Sequence, residues 1–141
     1  MKYANELETK DLILKKATQQ DLNAIFKNYW SSEKTAQFML WEPLKSLEQA
    51  QERLNKIIDF QKDHLLFFVH EISTGEVIGQ AAMLEIEPNV YEDAGIGLGE
   101  NFVGHGYGKQ ILNCFVEYLF EKCNAQKIIC SCFANNTPSA K

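Results

Sequence analysis

Between Val103 and Gln110 the chain reads Val103-Gly104-His105-Gly106-Tyr107-Gly108-Lys109-Gln110, three glycines at alternate positions with an apolar helical pattern directly behind them. A short strand pattern, Gly95 to Leu98, stands in front of it. Strand, glycine loop and helix start together turn backbone N–H groups toward an anion. The first turn of a helix carries unpaired donors and the positive end of the helix dipole. Glycine is needed because a Cβ would block close backbone approach or the required φ values. The loop therefore reads as a cradle for a pyrophosphate. Arg53 is the sole arginine of the chain, so phosphate contacts fall to backbone donors and to lysine, with Lys109 nearest.

Spacing tests two nucleotide readings. A P-loop requires G-x-x-x-x-G-K-[ST]. Gly108-Lys109 match, but Val103 stands in the place of the first glycine and Gln110 in that of the Mg²⁺-binding hydroxyl. The dinucleotide fingerprint G-x-G-x-x-G, started at Gly104, needs a glycine where Lys109 stands. The loop also falls late in the chain, with no βαβ unit opening at the N-terminus. Both patterns fail at chemically essential positions.

The same run resembles the acyl-CoA loop of the GNAT superfamily of N-acetyltransferases, Q/R-x-x-G-x-G/A, set between the fourth strand and the helix after it. Gly106 and Gly108 fill the two small positions. Val103 replaces the Gln/Arg, which removes a side chain and keeps the backbone donors. Further segments are similar to the branch that acetylates ribosomal-protein N-termini. They are Thr9 to Ala17 (its opening strand), Trp41-Glu42-Pro43-Leu44 with Ser46 to Ala50 (its second-helix entry), Gly95 to Gly99 (its fourth strand) and Asn136-Thr137-Pro138-Ser139 (the N-x-x-S of its last helix). Their order along residues 9–141 makes the set more specific than any one of them.

The resemblance implies an α/β fold, a mixed and mostly antiparallel central sheet flanked by helices, in the order β-α-α-β-β-β-α-β. It implies direct acetyl transfer from acetyl-CoA to an amine, either a protein N-terminus or a small molecule, in a ternary complex. The pantetheine arm would pair with Ile96 to Leu98 and be held by Asn136. Pyrophosphate would sit on the N–H groups of Val103, Gly104, His105, Gly106, Tyr107, Gly108 and Lys109. A bulge in the fourth strand aims one N–H at the thioester carbonyl, and alignment on the loop assigns it to Leu98. Asp93 stands where the branch often has glutamate and is the candidate base, with Glu92, Glu85 and Glu87 as alternatives. Ser139 is the candidate acid. Phe38, Met39 and Trp41 would line the acceptor side or cover the core. A non-catalytic acyl-CoA-binding domain is the competing expectation, motivated by Val103 and by the chain's end.

Several elements must position these groups. A strand is expected over roughly 10–17. Thr18 with Asp21 makes a capping box for a helix to about Ser31, with Leu22, Ile25, Phe26 and Tyr29 on one stripe. Ser46 with Gln49 caps a second helix, with Leu47, Ala50, Leu54, Ile57 and Ile58 inward. Leu65 to Ile72 and Val77 to Ile86 form a hairpin through Ser73-Thr74-Gly75-Glu76. Tyr91 to Leu98 follows, then a helix from about Tyr107 to Cys123 with Ile111, Leu112, Phe115 and Leu119 inward, then a strand from Ile128 to Ala134. Family members continue past N-x-x-S, whereas the chain stops at Lys141. That predicts a truncated C-terminus, with an apolar edge that a second copy could cover as a homodimer.

At 141 residues the chain is one domain, and 45% hydrophobic residues suffice for a single core. The net charge of −5 disfavours nucleic acid and suits an amine-bearing partner. The polar start and the absence of a long apolar run predict a cytoplasmic protein with no membrane association. Cys114, Cys123, Cys130 and Cys132 form no C-x-x-C pair, so the sequence predicts thiols and no metal site.

Overall fold

The computed structural model describes residues 3–31, 44–99, 102 and 104–129. Six strands form one sheet in the order of the chain: β1 Glu6–Glu8, β2 Leu12–Lys15, β3 Leu65–Glu71, β4 Val77–Glu87, β5 Val90–Leu98 and β6 Lys127–Ile129. The first five pair antiparallel, and β6 joins β5 in parallel. Residues 19–30 form a compound helix: a 3₁₀ turn Gln19–Asp21, α1 Leu22–Ile25 and a π turn Phe26–Trp30. The other helices are α2 Leu47–Phe60 and α3 Tyr107–Lys122.

The sheet carries a core on each face. β3 is the central strand and reads Leu-Leu-Phe-Phe-Val-His-Glu, buried at all positions but His70. Its continuous apolar run fits a strand covered on both sides. On one face Leu65, Phe67 and Val69 pack with Leu12, Leu14, Met83 and Tyr91 against Ile111, Phe115 and Leu119 of α3. On the other, Leu66, Phe68 and Ala82 meet Ile25, Tyr29 and Trp30 of the compound helix and Ala50, Leu54 and Ile57 of α2. A protein of this size gains most of its stability from such two-sided burial.

Several elements depart from the sequence reading. The strand expected over 10–17 is β2, shortened to Leu12–Lys15, and an unexpected strand, β1, precedes it and folds back onto it through Lys10-Asp11. Thr9 N–H donates to Leu12 O at 2.8 Å to close the turn. The element order therefore begins β-β, ahead of the helices. The expected capping box at Thr18 forms, with Thr18 N–H donating to Asp21 Oδ2 at 2.9 Å, but the helix behind it does not stay α. Ser31 N–H reaches Phe26 O at 2.9 Å, an i→i+5 bond that rotates Trp30 into the core. At α2, Gln49 N–H donates to Ser46 Oγ at 3.2 Å, while the Gln49 side chain accepts from Lys45 N–H, not from Ser46. Leu47, expected inward, is exposed, while Ala50 in the same first turn is fully buried.

Among the described residues, no helix is long and apolar enough to cross a membrane. The strand expected to Ala134 is described only as Lys127–Ile129. Phe38, Met39, Trp41, Cys130, Cys132 and the N-x-x-S helix lie outside the described residues.

Candidate active site

The glycine loop opens α3 as a cradle. Gly106 is the residue before the helix and has φ +78°, and Gly104 has φ +84°. Both are left-handed values that an L side chain adopts only with strain. A Cβ at either glycine would meet nothing within 4 Å, so both glycines face open space. Gly106 offers no side chain to cap the helix, and the first turn has no acidic residue. The first intrahelical bond is Gln110 N–H to Gly106 O at 3.2 Å. That leaves the N–H groups of Tyr107, Gly108 and Lys109 as helix-end donors. His105 is exposed and stacks on Tyr107, ring centroids 5.4 Å apart. Lys109 is exposed.

Two part-buried hydrogen-bond clusters, at Tyr107 and at Gln110, hold the loop in place, and neither was legible in the sequence. Tyr107 Oη donates to Glu71 Oε2 at 2.8 Å, and the other carboxylate oxygen of Glu71 accepts from Thr74 Oγ1 at 2.8 Å. The hydrogen bond to Glu71, then burial and the nearby negative charges, push the Tyr107 phenol above its ordinary pKa. Gln110 Oε1 accepts from Thr9 Oγ1 at 2.7 Å and from Asp11 N–H at 3.2 Å, and its amide nitrogen donates to Asp11 Oδ2 at 2.7 Å. The residue that fails the P-loop pattern is thus the clamp between α3 and the β1–β2 turn.

β5 carries a bulge: Met83 opposes Asp93 and Ala82 opposes Gly95, leaving Ala94 without a register partner on β4. Gly95 takes φ +128° to make it. The bulge sits at Ala94, four positions before Leu98, the residue whose N–H is expected to face the thioester carbonyl. Its effect is a change of parity. Before it, Tyr91 and Asp93 point to the α3 face; after it, Ile96 and Leu98 do, and Gly97 faces the compound helix. Backbone direction alternates as well. Gly99 N–H donates to Ile78 O of β4 at 2.8 Å, so the N–H groups of Ile96 and Leu98 point away from β4. On that side the described pairing with β6 covers only Val90, Tyr91 and Glu92. Among the described residues no strand pairs with 93–98 there.

Asp93 is the first β5 residue past that pairing and is only 9% exposed. Glu92 points to the opposite face and is half-buried. Glu85 and Glu87 lie at the far end of the β4–β5 hairpin, where Glu85 Oε2 accepts from Asn89 N–H at 3.0 Å. The structure thus brings Asp93, Ile96, Leu98 and residues 104–109 to one edge of β5 and the end of α3. Val103, Asn136 and Ser139 lie outside the described residues. Open glycines, an acid-free helix start and two outward N–H groups on an unpaired strand edge fit a long ligand with a pyrophosphate and an amide-bearing arm.

Comparison with known proteins gives the family and the fold. The family model for the acetyltransferase (GNAT) domain matches residues 11–141. An uncharacterised N-acetyltransferase, p20, of Bacillus licheniformis is 29% identical over 140 residues, covering 96% of this chain and 77% of that protein. The spermidine N-acetyltransferase of Vibrio cholerae, solved with CoA and spermine, superposes with TM-score 0.64 at 23% identity, covering 84% of this chain and 69% of that one. The ribosomal-protein-S5-alanine acetyltransferase of Vibrio fischeri superposes with TM-score 0.68 at 18% identity, covering 96% and 78%. At these identities the solved structures establish the fold.

Proposed function

The chain belongs to the acetyltransferase (GNAT) domain family, whose acyl donor is acetyl-CoA, and from that premise we propose that it moves the acetyl group to a primary amine, with the protein N-terminus as the preferred acceptor class. The observation that carries the reading is the pair of outward N–H groups at Ile96 and Leu98, on the strand that leads to the open, glycine-started α3. Acetyl-CoA supplies the activated acetyl thioester. The donors of Gly104 to Lys109, together with Val103, hold its pyrophosphate, and Ile96, Leu98 and Asn136 hold its amide arm.

Leu98 N–H donates toward the carbonyl oxygen that gains charge, a contribution of roughly 3–4 kcal/mol when such a donor is well aimed. Asp93 takes the proton from the acceptor amine, directly or through one water. Ser139 returns a proton to the departing sulfur. Support for an N-terminal acceptor comes from the likeness of residues 9–17 and 136–139 to the ribosomal branch and from the Vibrio fischeri neighbour. A small polyamine is the other acceptor class, supported by the Vibrio cholerae neighbour.

Titration calorimetry with acetyl-CoA, against ATP with Mg²⁺, tests the donor site. Mass-spectrometric acetyl transfer to peptides with free N-terminal serine or alanine, and to spermidine, tests the reaction. Acetyl-CoA binding with transfer to the peptides supports the reading. Transfer only to spermidine overturns the acceptor class, and binding without transfer to either overturns the enzyme.

A further inference from the structure

Three consecutive residues of the Phe26–Trp30 turn rest on the β4–β5 ladder beside the outward Leu98 N–H. Asn28 Nδ2 donates to Val77 O at 2.8 Å, and the Asn28 carbonyl oxygen occupies the space that a Cβ at Gly99 would need. Trp30 Nε1 donates to Gln80 Oε1 at 2.9 Å, and Gln80 is the register partner of Gly97. Between them, Tyr29 lies against Gly97 itself. A Cβ at that glycine would collide with Tyr29 Oη, with Cζ at 2.7 Å and Cε1 at 3.1 Å.

Leu98 is therefore flanked by two glycines whose missing side chains are replaced by the Tyr29 phenol and the Asn28 carbonyl. The contact is rigid on one side. Tyr29 is 4% exposed and Trp30 1%, and the neighbours of Tyr29 are bonded to β4. The other edge of 93–98 is unpaired among the described residues. Any misfit at Gly97 must then shift β5 and turn the Leu98 N–H. Glycine in a strand marks such close approach, and π turns recur at functional sites.

We propose that Tyr29 is a positioning residue for acetyl transfer: seated on Gly97, it sets the direction of the adjoining Leu98 N–H. The inference rests on the reading of Leu98 as the donor to the carbonyl oxygen. Donors of this kind act over a narrow distance range, and loss of one lowers kcat by about 100-fold to 1,000-fold.

The test compares Gly97→Ala, Tyr29→Leu, the double variant and Tyr29→Phe. Amide NMR of the ligand-free protein follows Leu98, and kcat and KM are measured with acetyl-CoA and an N-terminal-serine peptide. Gly97→Ala is expected to displace the Leu98 amide resonance and lower kcat about 100-fold, with KM for acetyl-CoA nearly unchanged. Adding Tyr29→Leu to Gly97→Ala returns the resonance toward its original position and recovers kcat about tenfold, a coupling that independent sites do not show. Tyr29→Phe keeps the ring on Gly97 and retains most of kcat. If Gly97→Ala does not fold, the contrast between Tyr29→Leu and Tyr29→Phe decides by the same readouts. An unmoved Leu98 amide, additive effects of the two substitutions, or a loss confined to KM would each overturn the proposal. Absence of transfer by the unaltered protein would overturn the proposed function instead, while the ligand-free NMR comparison still judges the Tyr29–Gly97 contact.

Discussion

Tyr107 Oη donates to Glu71 Oε2 at 2.8 Å, and this bond fastens the first turn of α3 to the end of β3. Glu71 is only 8% exposed. Its carboxylate is divided between Tyr107 and Thr74, so the start of α3 and the β3–β4 hairpin share one buried acid.

With that donor removed, Thr74 Oγ1 still donates to the Glu71 carboxylate, but Oε2 loses the phenol. Tyr107→Phe should lower stability by about 1–3 kcal/mol, the usual cost of stripping a partner from a buried charged acceptor. Urea denaturation reads it directly. Acetyl-CoA affinity should fall as well, because the helix start is no longer held against the sheet. An unchanged urea midpoint would mean that water replaces the phenol without cost.

Gly106 has φ +78° and open space where a side chain would project. Gly106→Ala should therefore cost about 1–2 kcal/mol of stability from backbone strain alone. It should weaken acetyl-CoA binding further, since the added methyl enters the cradle. Thermal melting with and without acetyl-CoA separates the two effects, because a bound ligand stabilises in proportion to its affinity.

Asp93→Asn should preserve acetyl-CoA binding, measured by calorimetry, while kcat falls by about 100-fold to 10,000-fold, the range for a lost general base. Glu92→Gln, on the opposite face of β5, is the comparison. A larger loss with Glu92→Gln would transfer the base to that residue.

His70 makes stability depend on pH. Its Nε2 is buried without a hydrogen-bond partner. Burial, opposed by Asp21 and Glu6 and reinforced by Lys15, pulls its pKa below the ordinary histidine value. As pH falls, the unfolded chain takes up the proton first. Stability is thus full above the unfolded pKa of about 6.5 and is lost as pH drops toward and through the lower folded value. Urea midpoints of the unaltered protein measured from pH 8 downward should fall below pH 7 more steeply than those of His70→Leu. Parallel curves would assign the acid sensitivity to other groups.

Much of the fold was legible in local pattern. The apolar run of β3, the Ser73–Glu76 turn and the stripe Ile111, Phe115 and Leu119 each state their structure through periodicity and turn chemistry. The cradle was legible too, because only glycine serves at left-handed positions before a helix. The added strand β1 was not, since the Lys10-Asp11 turn that folds it onto β2 is secured by Gln110, a hundred residues away. The glycines at 97 and 99 were a signal of close approach, but the sequence does not say what approaches.

The sequence by itself determined where backbone donors stand open: glycines at left-handed positions before a helix leave its first N–H groups uncapped, because those donors belong to the backbone. The tertiary structure decided which way the site faces. A single extra residue at Ala94 reverses the parity of β5, and a π turn places Tyr29 on Gly97. Both depend on how two strands and a helix meet, and neither is encoded in the spacing of any one segment.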